Sequence, residues 1–179
     1  SKPRVVIKPT GRPLRWASLF FFIATVFKVF LFDLGSLRGG YRAASFLGGA
    51  LWGLLAWGLG GRAYGAGLWG GIVAAPLIGV AVAALLQERF EQAGGWRRWL
   101  LALASLYLGA TLFALAVGVT DAMTGSAARR ATEVVFEAVV GTWWGITLTG
   151  FLIVLGPLAY LTHVVLAWVD DFPSDRSAP

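Results

Sequence analysis

The feature that most constrains this chain is an uncharged run over residues 68–86, LWGGIVAAPLIGVAVAALL. An α-helix of about 19 residues is long enough to cross a hydrocarbon core roughly 30 Å thick. Small residues recur here at steps of four, which places them on one helical face and lets a second backbone approach closely. They are Gly67, Gly71, Ala75, Gly79 and Ala83. The run therefore predicts a membrane helix whose small face packs against another helix.

Composition extends this prediction to the rest of the chain. Hydrophobic residues make up 58% of the 179 residues and charged residues 13%, whereas soluble domains average about 45–50% and about 25%. The 24 glycines and 9 tryptophans belong to residue types enriched in membrane helices or at their interfaces. We therefore predict an all-α integral membrane protein in which residues 43–168 form a bundle of four transmembrane helices. The predicted spans are residues 43–59, 68–86, 100–119 and 142–168.

Both ends of the chain are polar. Residues 1–15 carry five Lys or Arg residues and three prolines. Because proline disfavours helix, we predict an extended basic arm that contacts anionic lipid headgroups. Residues 169–179 are predicted to form a polar tail. The net charge of +6 does not indicate a nucleic-acid partner, because the basic residues flank apolar runs, where membrane orientation explains them.

Residues 16–34 admit two interpretations. The apolar part, Trp16–Phe32, is at the short limit for a membrane span, and Lys28 interrupts it. Ser18 and Thr25 share a helical face with Lys28, which is typical of an interfacial helix lying in the headgroup plane. An in-plane helix also keeps most Lys and Arg residues on one side, as the positive-inside rule expects, with both termini cytoplasmic in a bacterial inner membrane. A short fifth membrane helix is the alternative.

The other predicted spans also carry small residues at helical spacing. They are Gly49 and Gly53 in the first span, Ser105 and Gly109 in the third, and Gly145, Thr149 and Gly156 in the fourth. We expect these positions to be helix-packing contacts, because small side chains let membrane helices approach closely. Pro76 and the Gly156-Pro157 pair are expected to bend the helices that contain them.

His163 is the single histidine of the chain. It lies seven residues after Gly156, so it is predicted to face the bundle or a partner subunit rather than lipid. Three roles stay open: a hydrogen bond to a neighbouring helix, axial coordination of the magnesium or iron of a tetrapyrrole pigment, or a proton relay. The hydrogen bond is favoured, since no second histidine and no acidic residue lies within a predicted span. No bound metal or other cofactor is expected, with a tetrapyrrole pigment or a lipid as the alternatives.

The sequence lacks the residues that most membrane chemistry requires. It contains no cysteine, no Walker A motif and no H-E-x-x-H motif. We therefore expect no enzyme, but a non-catalytic accessory or scaffold subunit of a larger membrane complex, respiratory or photosynthetic for example, with other integral membrane subunits as partners. The alternative is a small oligomeric transporter or channel. Its polar cavity would be lined by Ser105, Tyr107, Thr111, Thr147, Thr149 and Tyr160.

Overall fold

The computed structural model describes residues 39–60, 67–124 and 131–170. These residues are almost entirely helical, and no strand occurs among them. The predicted basic arm, the predicted helix over residues 16–34 and the tail from residue 171 onward lie outside the described residues. The connections at 61–66 and 125–130 also lie outside them.

The described residues form six α-helices, two of which are joined by a π-helical turn. They are α1 (Gly39–Gly60), α2 (Gly67–Gln92), α3 (Trp96–Thr124), α4 (Ala131–Phe136), the π-helical turn (Glu137–Gly141), α5 (Thr142–Leu148) and α6 (Leu152–Asp170). Three helices are long and apolar enough to cross a membrane: Gly67–Gln92, Trp96–Thr124 and Leu152–Val169. The first predicted span, residues 43–59, falls in α1, which has 22 residues but is not among those three. The structure thus shows a helical membrane-type protein with three candidate spans, and a fourth span stays a prediction.

The first three helices pack side by side in alternating directions. Gly49 of α1 lies against Gly79 of α2 so closely that a Cβ added at Gly79 would be 2.5 Å from the Gly49 Cα. On the other side of α2, a Cβ added at Gly67 would be 2.8 Å from the Val117 carbonyl oxygen of α3. Only glycine permits backbones to meet at such distances. The order of contacts makes α1, α2 and α3 successively antiparallel.

A three-residue turn joins α2 to α3. Gly95 has a φ of +52°, a left-handed conformation that glycine adopts without strain. Arg98 holds the turn: its Nε donates to the Ala93 carbonyl oxygen at 2.8 Å, and an NH2 group donates to the Glu91 carbonyl oxygen at 3.3 Å. Its guanidinium also lies 5.7 Å from the centre of the Phe90 ring. The Arg98 guanidinium therefore stabilises the turn of the α2–α3 hairpin.

Residues 131–148 form one continuous helical rod, which we call the side helix. It follows α3 in the opposite direction, with Val134 against Gly118 and Thr147 bonded to Tyr107. The π-helical turn adds a residue to one turn. As a result two turns of this helix span about eight residues, so Ala138 and Ile146 lie on the same face. Both are buried. The side helix thus keeps one face on α3 along its length.

The predicted single span over residues 142–168 is divided into two helices. The interruption covers residues 149–151, where Gly150 has a φ of +74°. A left-handed glycine ends an α-helix because the next N–H groups no longer point at the carbonyls of the previous turn. We call residues 149–151 the break. The helix resumes at Leu152 and continues as α-helix through Pro157.

After the break, α6 crosses the end of the α2–α3 hairpin. The contacts are Gly156–Leu103 and Tyr160–Trp99 on α3, and Tyr160–Phe90 and His163–Gln87 on α2. As residue numbers rise along α6, the numbers of the residues they contact fall on both α2 and α3, so α6 runs against the direction of each. Because α2 and α3 are themselves antiparallel, α6 must lie at a steep angle across them. It ends beside α1, where Leu166 shares a buried cluster with Tyr41 and Ala83.

Candidate functional site

A buried polar contact joins α6 to α2. His163 and Gln87 are each 4% exposed, and the His163 Nδ1 lies 2.7 Å from the Gln87 Oε1. The Gln87 amide nitrogen donates to the His163 carbonyl oxygen at 3.1 Å and to the Glu91 carboxylate at 2.7 Å. The glutamine therefore bonds both the side chain and the backbone of the histidine.

These bonds fix the protonation of one ring nitrogen. The amide nitrogen of Gln87 donates to two acceptors, so the atom that faces the His163 ring is the amide oxygen. Because a carbonyl oxygen can only accept a hydrogen bond, the Nδ1 of His163 must be the donor. A neutral histidine that donates from Nδ1 keeps a lone pair on Nε2. Through that atom His163 could accept a hydrogen bond or act as an axial ligand to a tetrapyrrole metal. Within the described ranges no group of three or more His, Asp or Glu side chains could hold a metal ion.

Aromatic rings enclose this contact. The Phe90 ring stacks on the His163 ring, with centres 4.9 Å apart, and its edge meets Tyr160 at 5.5 Å. Tyr160 stacks in turn on Trp99 at 4.5 Å. These ring contacts connect α6 to both α2 and α3.

A second polar site lies at the break. The Tyr107 hydroxyl of α3 is hydrogen-bonded to the Thr147 hydroxyl at 2.8 Å, and the Tyr107 ring lies 4.9 Å from the Trp143 ring. The Thr149 hydroxyl donates back to the Gly145 carbonyl oxygen, which also accepts the Thr149 N–H at 3.3 Å. The side helix thus ends beside the middle of α3 with hydroxyl groups around its last turn.

The last carbonyl groups of the side helix lack hydrogen-bond partners among the described residues. A helix end leaves about four carbonyls without intrahelical partners. The backbone N–H groups of residues 153–155, just after the break, donate to the carbonyls of Gly150 and Phe151. Among the described residues, no hydrogen bond reaches the carbonyl oxygens of residues 146–148. Thr147, Leu148, Thr149 and Gly150 are all exposed.

Tyr107 shows where the break lies along α3. Trp96, Arg97, Arg98 and Trp99 at the start of α3 belong to residue types that membrane helices place at the headgroup level. Tyr107 follows Trp99 by eight residues, which is about 12 Å along the helix. If α3 crosses a hydrocarbon core roughly 30 Å thick from that level, the break lies close to the middle. Irregular backbone at such a depth occurs only where protein covers it or where it lines a water-filled cavity.

Most of the predicted packing residues lie between helices. Gly49, Gly53, Ala75 and Gly79 lie at the α1–α2 contact, Gly67 and Gly71 at the α2–α3 contact, and Ala83 in the cluster with Tyr41 and Leu166. Ser105 is buried, and its hydroxyl donates to the Ala102 carbonyl oxygen at 2.7 Å. A Cβ added at Gly109 would be 3.9 Å from the Val82 side chain. A Cβ added at Gly156 would be 3.3 Å from the Leu103 side chain. Gly145 and Thr149 differ from the others. Both are exposed, and a Cβ at Gly145 would meet no atom within 4 Å in the part of the chain that the structure describes.

The sequence reasoning overlooked Gln87 and the link between α1 and α6. Gln87 is the next position after Ala83 in the four-residue series of small residues on α2, so its inward direction could have been read from the spacing. In the second contact, the Trp52 indole nitrogen donates to the Thr162 hydroxyl at 3.3 Å. No spacing rule pairs those two residues, because they are 110 positions apart.

Comparison of the chain with models of protein families, with curated proteins and with solved structures finds no match. Its function must therefore be argued from the geometry of its own residues.

Proposed function

We propose that this chain is a non-catalytic accessory or scaffold subunit of a larger membrane complex, and that the outer face of the side helix packs against another integral membrane protein. The outer face consists of Gly141, Trp144, Gly145 and Leu148. These residues lie on the side of the helix opposite the buried Ile146. Trp144 is 60% exposed and Leu148 69%.

The open glycine pair carries this proposal. A Cβ added at Gly141 or Gly145 would meet no atom of residues 39–60, 67–124 or 131–170 within 4 Å. Exposed Leu and Trp side chains suit lipid, but a glycine pair four residues apart offers lipid tails little to contact. It does allow a second helix to approach closely. On α1 the corresponding pair, Gly49 and Gly53, is already covered by α2.

The hydrogen bonds of the polar side chains support a non-catalytic role. His163 is bonded to Gln87, Tyr107 to Thr147, and Ser105 to the backbone of its own helix. Each bond connects or stiffens helices, and none brings an acid and a base together at an open surface. The proposal places the protein in a bacterial inner membrane, with the basic arm at anionic headgroups.

The test is co-purification of the full chain from its native membranes in mild detergent, with mass spectrometry of whatever remains bound. We expect stoichiometric membrane partners, and we expect Gly145→Leu to lose them. Gly58→Leu is the matched control, because Gly58 is also helical and a Cβ there would also meet nothing within 4 Å. Partners that survive Gly145→Leu, or a wild-type chain that purifies as a monomer, would contradict the proposal.

The break favours a second candidate, a small oligomeric transporter or channel. Interrupted helices near the middle of the membrane form substrate and ion sites in many carriers. The hydroxyls of Tyr107, Thr147 and Thr149 cluster at this interruption. Ion or solute flux in liposomes that contain only this chain would select this candidate over the scaffold. Flux lost on Thr147→Val would locate the path at the break.

A further inference from the structure

We propose that Arg42 of α1 and Arg89 of α2 together bind the phosphate group of an anionic phospholipid, at the end of the molecule where the α2–α3 turn lies. The scaffold role concerns a protein partner on the side helix. This proposal adds a lipid ligand at a different place on the molecule and does not depend on that role.

Arg42 lies on the side of α1 that packs against α2. It precedes Gly49 by seven residues, or two helical turns, and a Cβ added at Gly49 would be 2.9 Å from the Pro76 Cα of α2. Tyr41 and Trp52 contact α6. At about 100° per residue, both of them lie on the opposite flank of the α1–α2 contact from Arg42. Arg42 therefore faces the groove between α1 and α2 on the side remote from α6.

Arg89 lies on the same side of the α1–α2 pair. Gln87 of α2 is bonded to His163 of α6. Two residues along a helix are about 200° apart, so Arg89 is directed away from α6. Its side chain is exposed.

The two arginine side chains converge along the helix axes. A Cβ added at Gly79 would be 2.8 Å from the Ser45 carbonyl oxygen, so in this antiparallel pair Arg42 is level with Val82. The Arg89 Cα is then about 10 Å further toward the α2–α3 turn. Side chains tilt toward the N-terminus of their own helix. Arg42 thus tilts toward the turn and Arg89 tilts back from it, which brings the two guanidinium groups toward one level.

The charges around this pair favour an anion between the two arginines. The Arg42 Nε is buried and has no hydrogen-bond partner among the described residues. Two guanidinium groups at one level repel each other, and an anion between them offsets that repulsion. The nearby carboxylates of Glu88 and Glu91 accept hydrogen bonds from glutamine amides of their own helix, at 3.1 and 2.7 Å. A phosphate fits the pair, because its oxygens accept hydrogen bonds from the fork of each guanidinium.

The surroundings of the pair favour a lipid over a soluble phosphate. Trp96 and Trp99 directly follow the α2–α3 turn and belong to a residue type found at the headgroup level. Basic side chains between membrane helices at that level bind anionic headgroups. Phe46, four residues after Arg42 on the same helical face, is 46% exposed. It gives an acyl chain an apolar surface directly below the phosphate.

Lipid binding by the purified full chain tests the site. Native mass spectrometry in a zwitterionic detergent should show one phosphatidylglycerol retained per chain and no phosphatidylcholine. We expect Arg42→Gln and Arg89→Gln each to lower the affinity for phosphatidylglycerol roughly tenfold. Arg97→Gln is the matched control, because Arg97 is also exposed at this end but lies on α3, which α2 separates from α1. At physiological ionic strength it should change the affinity by less than about twofold.

Four results would overturn the proposal. Retention of phosphatidylglycerol by both variants would remove the site, and an equal loss on Arg97→Gln would show attraction by net charge alone. Displacement of the lipid by inorganic phosphate would assign the pair to a soluble anion. If the effects of Arg42→Gln and Arg89→Gln simply multiply in the double variant, the two arginines bind separate anions. Because Arg89 is exposed, Arg89→Gln should leave the melting temperature without lipid unchanged, so its loss of lipid has no origin in unfolding.

Discussion

The three-helix layer and the side helix use glycine in contrasting ways. Between α1 and α2, Gly49 and Gly79 touch backbone to backbone. On the side helix, Gly141 and Gly145 have the four-residue spacing of Gly49 and Gly53, yet a Cβ at either would meet none of the described residues within 4 Å. A small-residue pattern therefore indicates where a backbone can approach, while the fold decides whether one does.

The same contrast holds for polar groups. His163 and Gln87 are sealed between helices and bond to each other twice. At the break, the hydroxyls of Thr147 and Thr149 are exposed beside carbonyls that lack partners among the described residues. In the first region the polar groups bond to one another, and in the second they are exposed.

The largest expected effect is that of Gly79→Leu, which tests whether the α1–α2 contact is as tight as its geometry indicates. A Cβ at this position would overlap the backbone of Gly49, at 2.5 Å, and no side-chain rotation can relieve that. We expect a loss of about 3 kcal/mol or more in the free energy of unfolding, measured by thermal or denaturant unfolding in detergent. Unfolding unchanged from the wild type would mean that α1 and α2 do not meet there.

Gln87→Leu should have the next largest effect. The substitution keeps the volume but leaves the His163 Nδ1–H and carbonyl oxygen without their partner. We expect a loss of about 1–2 kcal/mol, since buried polar groups that lose a partner are costly and interhelical bonds in membranes are worth somewhat less than in water. The double variant with His163→Phe should lose less than the sum of the two single losses. Simple additivity would show that the pair is not coupled.

How much of this could be read from the sequence depends on whether the deciding interaction is local. The small face of α2 follows from the helical period alone, so Gly67, Gly71 and Ala75 could be assigned to one face in advance. The break could not be foreseen in this way. Gly150 lies between two runs that are equally apolar, and membrane helices tolerate glycine, so hydropathy joined the runs into one span. Nor does any local pattern state that Tyr107 and Thr147 would meet.

Gly150→Ala, compared with Gly141→Ala, tests whether the break is a property of the backbone. At neither position would an added Cβ meet a described atom within 4 Å, but Gly150 has a φ of +74° whereas Gly141 has the right-handed helical φ of −60°. We expect Gly150→Ala to lower the free energy of unfolding by about 1 kcal/mol and Gly141→Ala to raise it by about 0.5–1 kcal/mol. Equal effects of the two substitutions would indicate that the helix is not interrupted at Gly150.

The smallest effect on stability is expected from Gly145→Leu, which makes on the side helix the change that should be so damaging in α2. With open space around it, the leucine replaces a poor helix former by a good one, so the isolated chain should keep its stability or gain up to about 1 kcal/mol. The same variant should lose its partners in native membranes, because the leucine fills the groove that a second helix would enter. Separation of these two readouts distinguishes an interaction surface from a lipid-facing one. If Gly145→Leu instead destabilises the isolated chain by as much as Gly79→Leu, then another part of the same chain already occupies the outer face.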